Sequence, residues 1–289
     1  MYKIVENLSL SLLNTGYVNL DKRWNYENVM SPFFRMYYVT DGEAKVFHQN
    51  KEYVLKQGYM YLIPSFTYSH YKCDEHMTQY YISAIEISET GHSVFSSLNF
   101  IYEVKADHIS LVYFKRLLEL NPNRSIVRDD PKVYDNEEGL TSFKTENKKL
   151  SEGAYLETSG LLKSILSKFV VTYKKENTLK DDKSKLRDVV NFIEINLHTN
   201  ITVKQLADTQ NLNVDYFSRL FKSIYHIRPN EYIQKKRVER AQLLLIASSN
   251  SLQQVSDTVG FSNVSYFSRV FKKYTNSSPL QYRKEGWKM

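Results

Sequence analysis

The chain contains Asn213-Val214-Asp215-Tyr216-Phe217-Ser218-Arg219-Leu220-Phe221-Lys222 and repeats it 50 residues later as Asn263-Val264-Ser265-Tyr266-Phe267-Ser268-Arg269-Val270-Phe271-Lys272. Eight of the ten positions are identical. Similarity at a fixed period is the signature of a repeated structural unit. Each copy places apolar residues on one helical face and Ser, Arg and Lys on the other, so we predict two similar amphipathic helices.

A second short helix is predicted before each copy. Thr202-x-x-Gln205 and Ser251-x-x-Gln254 both have the form of a capping box, and they predict helices over 203–209 and 252–259. Tight turns at 210–212 and 260–262 follow, and Asn213 and Ser262 or Asn263 are predicted N-caps of the second helices. Helix, short turn and helix form the helix-turn-helix pattern. It is predicted twice, over about 203–224 and 252–274.

Helical spacing divides each repeated stretch into a buried and an exposed face. The predicted core stripes are Phe217, Leu220, Phe221 and Ile224, and then Phe267, Val270, Phe271 and Tyr274. The predicted exposed residues are Asp215, Ser218, Arg219 and Lys222, and then Ser265, Ser268, Arg269 and Lys272. A helix fits the major groove of DNA, where Arg can bind guanine through two hydrogen bonds and Ser or Lys can reach bases or phosphates.

Arg219 has a simpler alternative role, an ion pair with Asp215 one turn earlier. Such a pair contributes only about 0.2–0.5 kcal/mol on an exposed helix. The second copy has Ser265 at the equivalent position, so Arg269 lacks that partner. An arginine present in both copies therefore favours a role toward DNA.

The charge distribution also favours a polyanionic partner for the C-terminal region. Residues 184–289 hold 16 Lys and Arg against 8 Asp and Glu, whereas residues 1–183 hold 23 basic and 24 acidic residues. The net charge of +7 therefore comes from the last third of the chain. A basic surface that is merely solvated is the alternative.

A long helix is predicted between the two units, over 229–247, with Pro229 in its first turn. The pattern predicts that its four cations, Lys235, Lys236, Arg237 and Arg240, are exposed. A helix of this length would hold the two units apart so that both second helices face one side of the duplex. Another helix is predicted to begin after Ser184 and to end near Leu197.

These residues resemble the DNA-binding domain of the AraC/XylS family of bacterial transcription regulators. The resemblance covers residues 184–289 and is most specific in Gly260-Phe261-Ser262-Asn263-x-Ser265-Tyr266-Phe267-Ser268-Arg269-Val270-Phe271-Lys272-Lys273 and Ser278-Pro279-x-x-Tyr282-Arg283-Lys284. It implies that recognition helices 214–224 and 264–274 contact double-stranded DNA in adjacent major grooves. It implies base contacts at Asp215, Ser218, Arg219, Val264, Ser265 and Arg269. The predicted DNA-binding residues also include Lys222, Ser268, Lys272 and Lys273. Asp215 and Asn211 depart from the usual pattern of the first unit.

The N-terminal region has short strand patterns separated by turn signals. Candidate strands are 33–40, 43–49, 51–56, 59–63, 68–73 and 77–87, and Asp41-Gly42 has the form of a hairpin turn. This pattern favours a sandwich or barrel. The order Tyr38-Val39-x-x-Gly42, Gly58-x-x-x-Leu62-Ile63-Pro64 and His70 resembles the cupin-like effector domain of the same family. We therefore predict an α+β multidomain protein: an N-terminal cupin-like β-barrel plus helices, and a C-terminal all-α double helix-turn-helix domain.

The resemblance implies a small-molecule effector for the barrel. Residues 1–183 hold 17 of the 23 tyrosines, and aromatic side chains often line such pockets. The predicted effector-binding residues are Tyr38, Tyr61, His70 and Tyr81. The alternative is that most of these side chains belong to the core or the barrel wall.

Two more helices are predicted after the barrel, over 107–120 and 155–173, with a polar loop over 121–150 between them. In the family such helices commonly form a homodimer, but packing onto the barrel is equally open. The predicted domains are therefore 1–173 and 184–289, joined by a charged linker at 174–183. The resemblance further implies activation of transcription through RNA polymerase.

Several other protein classes are disfavoured by the sequence. Cys73 is the only cysteine, which excludes an internal disulfide and a CxxC site. No signal-peptide pattern or apolar run of 18 residues occurs, so a cytoplasmic protein without a membrane segment is expected. His48, His70 and His76 are scattered, and no nucleotide-binding or nucleophile motif occurs, so we predict no catalytic residues, metal or cofactor. A metal enzyme and a DNA-binding protein without sequence preference remain the alternatives.

Overall fold

The computed structural model describes residues 5–49, 51–87, 93–126, 145–171 and 182–285. These residues form two compact units, one built from 5–87 and 98–171 and the other mainly from 93–97 and 182–283. The domain bounds 1–173 and 184–289 stay a prediction, and most of the predicted linker 174–183 and most of the loop 121–150 lie outside the described residues.

The first unit is a β-rich domain, as predicted. Its strands are β1 Ser9–Asp21, β2 Asn25–Val29, β3 Phe34–His48, β4 Lys51–Lys56, β5 Tyr59–Ile63, β6 Ser69–Lys72, β7 His76–Ile87 and β8 Glu103–Lys105. The main path of antiparallel pairing is β1-β7-β3-β5-β8, while β4 and β6 pair with β3, and β2 pairs with β6. Strands β1 and β8 lie at the ends of that path, so hydrogen bonding in the described part of the chain does not close a circle.

Strand β3 belongs to two groups of strands. Its first part pairs with β5 and β7, and its second part pairs with β4 and β6. The register shifts between Val39 and Asp41, and Gly42 has a φ of 68°. A Cβ atom at Gly42 would lie 2.3 Å from the carbonyl oxygen of His76. The prediction of a hairpin turn at Asp41-Gly42 is therefore wrong: this is a β-bulge, which bends the strand without ending it.

One apolar core lies between these strand groups. It contains Leu20, Trp24, Val29, Tyr37, Val39, Ala44, Val46, Tyr53, Leu55, Tyr61, Ile63, Tyr71, Cys73, Met77 and Tyr81. Tyr37 lies directly opposite Tyr61 on β5 and Tyr81 on β7, so these three rings share one face of the sheet. The next residue, Tyr38, consequently points to the other face.

Three helices come before the C-terminal region in sequence: α1 Val94–Ser97, which belongs to the second unit, and α2 His108–Leu120 and α3 Glu152–Ser167, which belong to the first. Asp107 caps α2 and Ser151 caps α3, each by accepting a hydrogen bond from a backbone N–H of the first turn. Helix α3 packs against β1 and α2. The two predicted helices are thus present, although α3 begins three residues earlier and ends before the predicted limit.

The C-terminal region is helical. Its helices are α4 Asp182–Asn196, α5 Val203–Thr209, α6 Val214–Tyr225, α7 Pro229–Ala247, α8 Leu252–Thr258, α9 Val264–Thr275 and α10 Pro279–Glu285. Both predicted capping boxes form, at Thr202 with Gln205 and at Ser251 with Gln254. Helices α5 and α6 form the first helix-turn-helix unit, and α8 and α9 form the second.

The turns of the two units differ by one residue. Asn211 and Gly260 occupy equivalent positions just after the C-caps of α5 and α8, and both have left-handed backbone, with φ of 53° and 86°. They are 49 residues apart, whereas the N-caps Asn213 and Asn263 are 50 apart. The second turn is therefore one residue longer than the first.

The predicted apolar stripes are confirmed as the core of each unit. Phe217 and Phe221 are fully buried in the first unit, and their counterparts Phe267 and Phe271 are fully buried in the second. The similarity continues into the next helix, because Tyr232 of α7 packs edge-on against Phe221 with ring centroids 5.5 Å apart. Tyr282 of α10 packs in the same way against Phe271 at 5.2 Å.

The prediction that the four cations of α7 are exposed is wrong: Arg240 is buried, and Lys235, Lys236 and Arg237 are half-buried. Arg240 is only 4% exposed. The Lys236 side chain is 24% exposed and forms ion pairs with Glu239 at 2.9 Å and with Glu194 of α4 at 3.6 Å. The reason is that α7 is the central helix of this region and packs against α6, α8 and α9, so its polar side chains pair inside the domain.

Candidate nucleic-acid interface

The predicted DNA-contacting residues line the outer faces of α6 and α9. In the first unit Asp215, Arg219 and Lys222 are exposed and Ser218 is half-buried. In the second unit Ser265, Arg269, Lys272 and Lys273 are exposed, while Val264 and Ser268 are half-buried. Each helix begins at an asparagine whose side-chain oxygen accepts a hydrogen bond of 2.8 Å from the third backbone N–H. The same cap therefore presents the same set of side chains in both units.

Arg219 does not form the ion pair with Asp215 that would give it a purely structural role. Among the residues that the structure describes, no contact within 4.0 Å joins its guanidinium to the Asp215 carboxylate. Its charge is therefore available to solvent or to a ligand.

A cleft of about 670 Å³ lies beside the first of these helices. Its walls comprise Ser218, Arg219 and Lys222 of α6 together with Arg228 and Asn230 at the start of α7. Asp215 and Glu231 also line it. Three cations, Arg219, Lys222 and Arg228, therefore line one open cleft. This arrangement suits backbone phosphates next to a helix in the major groove.

Arg269 of the second unit is held by an aromatic ring. Its guanidinium carbon lies 5.3 Å from the ring centroid of Tyr266, one turn earlier on α9. The Tyr266 hydroxyl accepts a hydrogen bond of 2.8 Å from the side-chain amide of Gln234 on α7. Gln234 could not be predicted from the sequence, because no local pattern links residues 32 positions apart.

Arg237 joins the second unit to the end of α4. Its guanidinium donates hydrogen bonds to the carbonyl oxygens of Leu197 at 3.0 Å and of Thr199 at 2.6 Å, and it lies 5.6 Å from the ring centroid of Phe261. Gly260 packs against the same segment, since a Cβ atom there would lie 2.1 Å from the Leu197 carbonyl oxygen. The relative position of the two units is thus set by contacts as well as by α7.

A buried ionic cluster ties α4 to α7. Burial alone would lower the pKa of Lys236, but Glu239, Tyr232 and Glu194 together raise it well above the ordinary lysine value. The Tyr232 hydroxyl also donates to a Glu194 carboxylate oxygen at 3.3 Å. Burial lowers the pKa of the neighbouring Arg240 to about 10, which still leaves that side chain charged at neutral pH. The cluster therefore anchors α7 on α4.

The predicted effector residues do not lie together. Tyr61 and Tyr81 share the core face described above, and burial raises the pKa of both. Their hydroxyls are engaged: that of Tyr61 donates to the Val54 carbonyl at 2.6 Å, and that of Tyr81 accepts from the Ile126 N–H at 2.8 Å. Tyr38 lies on the opposite face, against Phe114 of α2 at 5.8 Å.

His70 is half-buried on β6 and stays separate from those tyrosines. Its ring lies 5.8 Å from that of Phe47, and its Nδ1 accepts a weak hydrogen bond of 3.4 Å from the Asn28 N–H. Two other aromatic side chains, Trp24 and Tyr71, belong to the core, with ring centroids 4.9 Å apart. Neither was predicted as an effector-binding residue.

Two other kinds of site are absent from the described ranges. Those ranges contain no group of three or more His, Cys, Asp or Glu residues arranged to hold a metal ion. They also contain no helix whose length and apolar character would allow it to cross a bilayer.

Comparison with known proteins identifies the C-terminal domain. Residues 206–285 match the family described as "Helix-turn-helix domain". The Msm operon regulatory protein of Streptococcus mutans is 24% identical over 97% of this chain and 95% of its own length. The raffinose operon transcriptional regulatory protein RafR of Pediococcus pentosaceus is 35% identical, but the match covers 33% of this chain and only 34% of that protein.

A solved structure is similar in the same region. The DNA-binding domain of the global transcriptional factor AdpA, crystallised with a target DNA, is 30% identical over 35% of this chain and 90% of that one, with a TM-score of 0.34. The tandem units, the family match over most of both units and the two operon regulators agree with one another. The C-terminal region is therefore a helix-turn-helix domain of the AraC type, the kind found in DNA-binding transcription regulators.

Proposed function

We propose that this protein controls transcription by inserting α6 and α9 into two successive major-groove segments of one DNA site. The observation that carries this proposal is the repetition of one exposed Ser-Arg-Lys face on two identically capped helices. Helix α7 connects the units, and its 19 residues make it about 28 Å long. Major-groove segments on one side of a duplex are about 34 Å apart, so a single chain has the right dimensions to contact both.

The side chains divide into two roles. Arg219 and Arg269 are proposed to bind base edges, supported by the adjacent Ser218, Val264, Ser265 and Ser268. Lys222, Lys272 and Lys273 are proposed to bind phosphates, which supplies affinity without sequence preference. Asp215 fits a cytosine amino group better than a phosphate, because its carboxylate is a hydrogen-bond acceptor.

The proposal can be tested by selecting genomic DNA fragments with the purified protein at near-physiological salt. We expect a few sites that share two sequence blocks with centres about one helical turn apart. Arg269→Ala should weaken binding to such a site by about 1–3 kcal/mol and should weaken binding to random DNA much less. Lys163→Ala is the matched control, because it removes one exposed cation outside the C-terminal domain.

Two results would contradict this function. Retention of fragments without shared blocks, together with a steep salt dependence, would indicate DNA binding without sequence preference. Equal losses on specific and random DNA for Arg269→Ala would assign that residue to phosphate contact alone.

We further propose that the N-terminal domain binds a small-molecule effector. The support is its aromatic core, in which Trp24, Tyr37, Tyr61, Tyr71 and Tyr81 are all at least 95% buried around one face. Aromatic side chains with a few oriented polar groups are typical of such sites. RafR takes its name from a raffinose operon, so a screening panel should include raffinose among other small sugars.

A melting-temperature screen of the full-length protein tests effector binding. A true effector should raise the melting temperature and change the affinity for the selected DNA, because it binds the folded state only. The response should be weakened by Tyr61→Phe or Tyr81→Phe but not by Tyr38→Phe, which alters the opposite face of the sheet. A panel that changes neither property would leave the domain with a dimerising role alone.

A homodimer through α2 and α3 is the proposed assembly. Val112 is 53% exposed on α2, and Tyr155 and Leu156 are 44% and 71% exposed on α3. If these apolar side chains form the contact, Leu156→Glu should convert a dimer to a monomer in light scattering, while Lys105→Glu, at an exposed position on β8, should not. Contact with RNA polymerase, activation and a cytoplasmic location are proposed on the same family basis, and transcription assays with purified polymerase test the first two.

A further inference from the structure

Tyr266 occupies a junction between α7 and the DNA-facing side of α9. Its hydroxyl accepts the hydrogen bond from Gln234, and its ring meets that of Phe261 edge-on, with centroids 5.7 Å apart and an interplanar angle of 74°. The guanidinium of Arg269 lies over the same ring. One edge of Tyr266 is therefore fixed by the inside of the domain, and its face supports an exposed cation.

The first unit lacks this arrangement although its sequence is nearly the same. Tyr216 is the counterpart of Tyr266, and its side chain is 45% exposed. Within the described ranges its hydroxyl has no hydrogen-bond partner, and no aromatic ring lies under Arg219. The difference arises because the partner on α7 contacts the second unit only. The two arginines thus have the same sequence context but different support.

We propose that Gln234 and Tyr266 are positioning residues for DNA recognition: they hold the Arg269 guanidinium in a restricted orientation before DNA binds. This inference rests on the proposed role of Arg269 in contacting a base. A long, freely rotating arginine loses conformational freedom when it makes two hydrogen bonds to a guanine, and a side chain already restricted loses less. The second unit should therefore discriminate among bases more strictly than the first.

Discrimination at a single base pair is the quantity to measure. Dissociation constants are obtained by fluorescence anisotropy for the duplex that the wild type selects and for its three single-base-pair variants at the position where Arg269→Ala ceases to discriminate. Tyr266→Leu should reduce discrimination about 2- to 5-fold, which corresponds to the 0.5–1 kcal/mol of an exposed cation–π contact. Tyr266→Phe and Gln234→Leu, which keep the ring, should cause smaller reductions at the same base pair.

Tyr216→Leu is the matched control in the first unit, and it should leave discrimination at that base pair unchanged. Three results would overturn the inference while leaving the proposed function intact. The first is that Arg269→Ala reduces base discrimination but Tyr266→Leu does not, and the second is that Tyr216→Leu reduces discrimination as much as Tyr266→Leu does. The third is that Tyr266→Leu binds DNA more tightly than the wild type, which would mean that the ring holds the arginine away from DNA. Failure of Arg269→Ala to alter discrimination anywhere would instead refute the proposed base contact.

A measurement without DNA keeps the inference testable if a variant binds poorly for other reasons. Protons of the Arg269 side chain that lie over the Tyr266 ring should resonate upfield in nuclear magnetic resonance spectra of the free protein. Tyr266→Leu should abolish that shift, whereas Tyr216→Leu should preserve it. Arg269 protons at ordinary positions in the wild type would refute the contact itself.

Discussion

Replacement of Gly260 by alanine should destabilise the C-terminal domain far more than the equivalent change in the first unit. Two effects act at this position. The left-handed backbone, with φ of 86°, costs an alanine about 1–2 kcal/mol. The added Cβ would lie 2.1 Å from the Leu197 carbonyl oxygen and 3.0 Å from the His198 backbone. Relief requires movement of a segment that Arg237 holds, so overpacking should add about 1–3 kcal/mol.

Asn211 is the matched position, because it has the same backbone conformation in the shorter turn. Asn211→Ala should cost only the backbone component, about 1–2 kcal/mol. Asn211→Gly should be close to neutral, since both residues tolerate φ above zero. The difference between Gly260→Ala and Asn211→Ala therefore isolates the steric contact with Leu197.

Urea unfolding of the full-length protein, followed by the helical circular dichroism signal, measures these differences. The slope with urea should stay constant, so that a shift of the midpoint reports stability. If Gly260→Ala costs no more than Asn211→Ala, the contact between the second turn and the end of α4 contributes nothing, and the steric argument fails.

Three further predictions concern other contacts. Lys168 and Ser110 hold the pKa of the Asp107 carboxyl far below its usual range. This carboxyl therefore stabilises the fold above about pH 4, and its contribution disappears as the pH falls through the lowered pKa. The difference in unfolding free energy between wild type and Asp107→Asn should accordingly be smaller in urea titrations at pH 2.5 than at pH 7. Lys236→Met should lower the free energy of unfolding by about 2–3 kcal/mol, somewhat less than the loss of one partner from a completely buried ion pair. A loss under about 0.5 kcal/mol in the same titration would contradict the buried cluster. The Gln242 amide donates a hydrogen bond of 2.9 Å to the Tyr282 hydroxyl. Tyr282→Phe removes this acceptor and should lower the free energy of unfolding by about 1–3 kcal/mol. A double-mutant cycle with Gln242→Leu that shows no coupling would exclude this hydrogen bond as the cause.

The features that the sequence predicted well are local. A capping box such as Thr202 with Gln205 spans four residues, and the apolar stripe of α6 spans little more than two turns, so both can be found without knowing the fold. Asn213 and Asn263 were predicted as N-caps for the same reason. The sequence also separated the exposed face of each second helix from its core.

The failures depend on residues that are distant in sequence. Asp41-Gly42 has the composition of a hairpin turn, but pairing with β7 and the close approach of His76 carry the strand onward. Strand β1 was missed because several consecutive residues, from Leu12 to Gly16, are buried on both faces, which removes the alternating pattern. Lys236 looks like a surface cation until Glu194 of another helix is placed beside it.

The burial of α7 bears on how this regulator can diverge. Residues 241–245 are buried in succession, so this helix has no free face there, and substitutions along it disturb packing on several sides. The side chains proposed to contact bases are mostly exposed and can change at little cost to folding. Homologous regulators should therefore differ readily in the base sequence of the two DNA blocks that they prefer. The interval between the blocks should change much more slowly, because altering it requires a new core.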